Sequence, residues 1–147
     1  MSPPPAPRGR GRSKTAATWI ALAGGALGLH RFYLHGARDR WGWLYLPPTL
    51  LGLLGAWRLH ELGQDDRLAW ALLPLLGLSL SAAMLTAIVY GLTPDERWAA
   101  RHAPGQPPQP TRWGPVLGAM LALLLGGIAL MSTIAFGFQK LFETLQG

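Results

Sequence analysis

The apolar residues of this chain come in unbroken blocks, separated by short charged or proline-rich punctuation. Residues 68–92 and 113–138 contain no charged side chain at all. A bilayer core of about 30 Å is crossed by roughly 20 apolar helical residues at about 1.5 Å each, and both blocks are long enough. Two further blocks carry the same signal more weakly: residues 15–29, recruiting Phe32, Tyr33 and Leu34 to reach depth, and residues 41–59. The pattern predicts an all-α integral membrane helical bundle of four transmembrane helices, the first two forming a hairpin. The first block holds Gly24, Gly25 and Gly28, and the second holds Pro47 and Pro48 near its middle. Two lost backbone donors there predict a kink, with neighbouring helices satisfying the freed carbonyls. Pro74 falls early in the third block and Pro115 at the start of the fourth, where a missing donor costs little.

Aromatic residues mark the block ends. Trp41 and Trp43 open the second block and Trp57 lies near its close. Trp70 and Trp113 open the third and fourth, and Tyr90 closes the third. Indole and phenol rings favour the head-group level, so these positions predict two aromatic belts. Residues 1–14 lack apolar periodicity and are expected to be a disordered basic tail. Residues 93–112 read as an extended proline-rich loop. The organisation is therefore a tail (1–14), a helical hairpin (15–62), a third helix with its preceding loop (63–92), the proline-rich loop (93–112), and a fourth helix with a short tail (113–147).

Composition narrows the function classes. Of 147 residues, 50% are hydrophobic and only 14% charged, against about 25% charged in ordinary soluble domains. The absence of cysteine excludes a disulfide scaffold, a thiolate zinc site, a cysteine nucleophile and cysteine acylation. Ala21-Leu22-Ala23 after a basic tail resembles a signal-peptide cleavage site. The apolar run continues past it, so the block is expected to stay as a first span. Orientation follows from the lysines and arginines beside the spans. Four spans put Arg8, Arg10, Arg12, Lys14, Arg58, Arg67 and Lys140 on the side of the N-terminus, and Arg31, Arg38, Arg40, Arg97, Arg101 and Arg112 on the other. That near balance leaves the four cations ahead of the first block to tip the N-terminus towards the cytoplasm. Richness in arginine, alanine, glycine and proline fits a bacterium with a GC-rich genome.

The junction after the first block reads GGALGLHRFYLHG, residues 24–36. A glycine-rich helix end running into His-Arg-Phe-Tyr-Leu resembles the TM2 domain family. Gly55, Trp57 and Glu61 fall where that family shows a glycine, a tryptophan and an acidic residue. The likeness covers about residues 14–62. It departs at His35, where the family has a glycine directly after Leu34, at Glu61 in place of the commoner aspartate, and at Pro47-Pro48. The resemblance implies a membrane hairpin without a catalytic role; residues 63–147 lie outside it.

Polar chemistry is sparse. His30 and His35 are too far apart in register for a helical metal pair, His60 and His102 stand alone, and no carboxylate cluster completes a set. No metal or cofactor is expected. No acidic, basic or histidine side chain falls in the middle of a block, and the hydroxyls of Ser79, Ser81, Thr86, Ser132 and Thr133 have no base nearby in sequence. Intramembrane catalysis and ion-coupled transport thus lack their groups, and the chain is expected not to be an enzyme. His30, Arg31, Phe32, Tyr33, Arg38 and Arg40 gather at the turn and form the candidate contact to anionic lipid head groups or a partner. In the alternative reading of the turn, Arg31 pairs with Asp39 or caps the first helix and simply fixes the hairpin. Small residues recur at every fourth position: Gly24 and Gly28; Ser79, Ala83, Ala87 and Gly91; Gly114, Gly118, Ala122 and Gly126. Such stripes let helix backbones approach closely, within one chain or between chains. The basic tail is expected to act on topology and lipid, not on nucleic acid. The expected function is a non-enzymatic structural or interaction module, meeting the lipid bilayer and a second copy or another membrane protein. The alternative is a small transporter or pore formed by oligomers.

Overall fold

Helices are the regular elements of the computed structural model, which describes residues 11–110 and 112–147 and has no strand among them. Arg8 and Arg10 of the basic tail lie outside that range. The central pillar is α5, Arg67–Leu92. Asp66 caps it, its carboxylate accepting the Leu68 N–H at 3.2 Å. Its 26 residues rise about 39 Å, and the helix continues past Pro74. The other long helix, α7 (Trp113–Gln146), runs antiparallel to it and beyond the expected end at residue 138. Gly91 packs on Pro115, Met84 on Gly126, and Gly77 on Thr133. These two helices are long and apolar enough to cross a membrane.

The expectation of four spans is corrected: among the described residues two helices meet that standard. The first block is not one helix. It opens with α1, Lys14–Gly24, whose cap Ser13 accepts the Ala16 N–H. A 3-10 turn follows at Gly25–Leu27, and Gly28 then adopts φ 75°. That left-handed backbone suits glycine because a Cβ would be strained there. Beyond it α2, Leu29–His35, heads the other way. Thr15 and Thr18 of α1 lie on Gly114 and Gly118 of α7, while Ala21 and Gly25 reach Ala83, near the middle of α5. From that depth α2 climbs back: Leu34 clusters with Ala17 and Trp98, and the Tyr33 hydroxyl accepts the Ser13 N–H at 3.2 Å. Gly24 and Gly28, expected as a stripe on one helix, instead bracket this reversal.

The second block is divided as well. Asp39 caps α3, Arg40–Leu44, by accepting the Trp41 N–H at 3.3 Å. The next helix, α4 (Leu46–Leu62), carries Pro47 and Pro48 in its first turn, where no donor is required. The expected mid-helix kink is thus a helix start. At 17 residues, α4 rises only about 26 Å. It lies antiparallel to the first half of α5, with Gly52 on Leu76 and Gly55 on Leu72. The Thr49 hydroxyl donates to the Ala26 carbonyl at 2.6 Å and ties α4 to the floor of the hairpin.

The proline-rich loop is also corrected, because it contains α6, Asp95–His102. Asp95 and Glu96 in its first turn and Arg101 and His102 in its last complement the helix dipole.

The interior is built from small side chains and the exterior from large ones. Ala17, Ala21, Ala83, Ala87 and Ala122 are completely buried, while Leu85, Leu123 and Met131 are 61%, 67% and 70% exposed. An apolar shell of that extent is unsuited to water. In lipid the large chains meet acyl tails, and the small ones let α1, α5 and α7 approach closely.

Candidate functional site

The sequence motif His30-Arg31-Phe32-Tyr33 falls on α2, at the end of the bundle where α1 and α7 begin and α5 ends. Its side chains turn mostly inward. The Arg31 Nε donates to Asp39 at 2.6 Å. That hydrogen bond, more than any other influence, holds the Asp39 carboxyl below the usual carboxylate range, and the Trp41 N–H adds to it. Phe32 covers Gly42 and meets Trp43 edge-on at 5.4 Å. His30 is only 1% exposed, between Tyr45 at 5.4 Å and Tyr90 at 5.9 Å. Its Nδ1 has no hydrogen-bond partner among the described residues. Tyr33 is held by Ser13, as above. Of the six candidate contact residues, Arg38 and Arg40 are the two classed as exposed.

Several contributors to this end escaped sequence reasoning. Lys14 forms an ion pair with Asp95 at 3.0 Å. The Trp98 indole donates to the Arg12 carbonyl at 2.9 Å, packs on Tyr90 at 5.5 Å and stacks with His102 at 4.2 Å. Burial lowers the His102 pKa, with Arg101 adding to the effect. Acidic residues opening a short segment and basic ones closing it were the available signal for α6. A cavity of about 500 Å³ lies between the start of α1, α6 and the proline-rich loop, with Arg12, Lys14 and Arg112 beside Asp95 on its lining.

Charge is divided unequally between the two ends. Exposed arginines at the hairpin end are Arg12, Arg38, Arg40, Arg97, Arg101 and Arg112; of its acids, Asp39 and Asp95 are paired and Glu96 is exposed. At the opposite end only Arg67 is an exposed cation among the described residues. Arg58 is engaged by Asp66 at 2.6 Å, and Lys140 lies 4.1 Å above the Trp70 ring and 2.8 Å from Glu143. Glu61, Asp65 and Glu143 are exposed there.

The small-residue positions line the helix contacts. Ser79, Ala83, Ala87 and Gly91 are buried on α5, as are Gly118 and Ala122 on α7, with Gly114 on Thr15 and Gly126 on Met84. Among the described residues no three His, Asp or Glu side chains come together as a metal site. A family model for the TM2 domain matches residues 10–62, from the end of the basic tail to the end of α4. Comparison with curated proteins and with solved structures returns no match.

Proposed function

We propose, from the match of residues 10–62 to the TM2 domain model, that the chain is a non-enzymatic structural and interaction module of a membrane. We place it in the bacterial cytoplasmic membrane. The observation that carries the reading is the division of labour on α2 and α3. His30, Arg31, Phe32 and Tyr33 are committed to holding the hairpin. That leaves Arg38, Arg40, Trp41 and Trp43 outward, the two tryptophans 64% and 56% exposed. Such a basic and aromatic edge at a bundle end suits contact with another membrane protein or a second copy, because indole and guanidinium groups dominate interface energetics.

Capture from membranes in mild detergent tests this, comparing wild type with Arg38→Ala/Trp41→Ala. A partner recovered in near-equal amount with wild type and lost from the variant is the expected result. Self-association alone, unchanged in the variant, would overturn the interaction reading and favour the oligomeric pore, to be assayed by flux in liposomes.

A further inference from the structure

We propose that residues 14–35 form a re-entrant hairpin that does not cross the bilayer, and that the end to which it returns is the cytoplasmic face, seated on anionic lipid head groups. The inference rests on the membrane reading above and deepens it. Both ends of the hairpin are tied to one another and to α6: Ser13 to Tyr33, Arg12 to Trp98, Lys14 to Asp95. Its turn stops at Ala83, about halfway along α5. From the end to which α2 returns, α3 and α4, in two pieces, carry the chain to the far end, α5 brings it back and α7 takes it away again. The described start of the chain and its C-terminus therefore lie at opposite ends of the bundle.

This path resolves the charge balance. Four spans divide the cations almost evenly between the two faces, but folding the first block back gathers six exposed arginines at one end against Arg67 at the other. Arginine beside a span is retained on the cytoplasmic side during insertion, where the anionic leaflet attracts it further. The flanking chemistry agrees. On α6, Trp98 packs into the bundle against Ala17, Leu34 and Tyr90 while Arg97 and Arg101 are exposed, so the helix fixes both cations at this end. Trp41, Trp43 and Trp113 ring the same end.

The chain has no native cysteine, so single cysteines at Ser2, Ala37, Gln64, Pro108 and Gln146 can be labelled in intact cells with a membrane-impermeant maleimide. Gln64 and Gln146 should react from outside, and Ser2, Ala37 and Pro108 only after permeabilisation. Ala37 labelled from the side opposite to Ser2 would overturn the re-entrant hairpin, and the reverse assignment of faces would overturn the orientation. Extraction of the protein by alkaline carbonate would instead sink the membrane reading itself. The lipid arm uses the protein reconstituted in phosphatidylcholine vesicles carrying spin-labelled phosphatidylglycerol or phosphatidylcholine. Motionally restricted phosphatidylglycerol should be favoured about fivefold. The preference should shrink in 0.5 M salt (roughly a 4 Å Debye length) and in Arg38→Gln/Arg97→Gln/Arg101→Gln. Equal restriction of the two lipids would overturn the head-group contact.

Discussion

Gly118 and Gly127 sit on the same helix and face different surroundings. A Cβ on Gly118 would lie 2.8 Å from the Thr18 methyl, while nothing stands within 4 Å of Gly127. Gly118→Leu should therefore lower stability by roughly 1–3 kcal/mol through overpacking, and Gly127→Leu should stay within about 0.5 kcal/mol of wild type. Thermal unfolding in detergent compares the two; similar losses would show that the α1–α7 seam is not a close contact. The histidines offer a second contrast. His30 is enclosed by aromatic rings, whereas the His35 side chain is half-exposed and 4.0 Å from Asp39. His30→Ala should destabilise by roughly 2 kcal/mol or more through the cavity it leaves, and His35→Ala by much less. A larger effect at His35 would mean that the ring cage contributes little.

Asp39 links two elements, since it caps α3 and receives Arg31 from α2. Its carboxyl titrates below the usual range of about 4 because the ionised form is hydrogen-bonded in the folded chain. A depressed acid pKa contributes stability above the unfolded value, and that contribution fades as pH falls through the folded one. Hydrogen exchange over residues 29–44, corrected for intrinsic rate, should stay constant from pH 7 to about 5 and rise below about 4. In Asp39→Asn it should already be raised at pH 7, with no further acid response from this corner; an unchanged acid response in the variant would remove Asp39 as its source.

At this scale α5 and α7 were legible because uninterrupted apolar runs leave few alternatives to a long helix. The hairpin was not, because Gly24 and Gly28 have the spacing of a packing stripe, and the sign of φ at Gly28 leaves no trace in hydropathy. Pro47 and Pro48 were misplaced for a related reason. A proline pair mid-block reads as a kink, yet the same pair starts a helix once Tyr45 ends the preceding one. At the candidate site, the pairing of Arg31 with Asp39 was readable from proximity in sequence. The approach of Trp98 and Tyr90 was not, since it depends on a helix inside the proline-rich loop.

The whole molecule carries its asymmetry in charge more than in shape. Moving cations should accordingly move the molecule. Arg38→Gln/Arg97→Gln/Arg101→Gln combined with Gln64→Arg/Gln146→Arg should convert a single orientation into a mixed one, read as cysteine at Pro108 becoming partly accessible from outside. Unaltered labelling would mean that features other than arginine placement set the direction of insertion.

The walls of the hairpin are Ala83 and Ala87 on α5 and Gly114 and Gly118 on α7, and all are synthesised after it. A chain emerging N-terminus first brings α1 out of the ribosome before either wall exists. An 11-residue helix is marginal in isolation, below the roughly 12–15 residues that hold in water. The newest helix thus completes the seat of the oldest one, and assembly ends by settling the part of the chain that was made first.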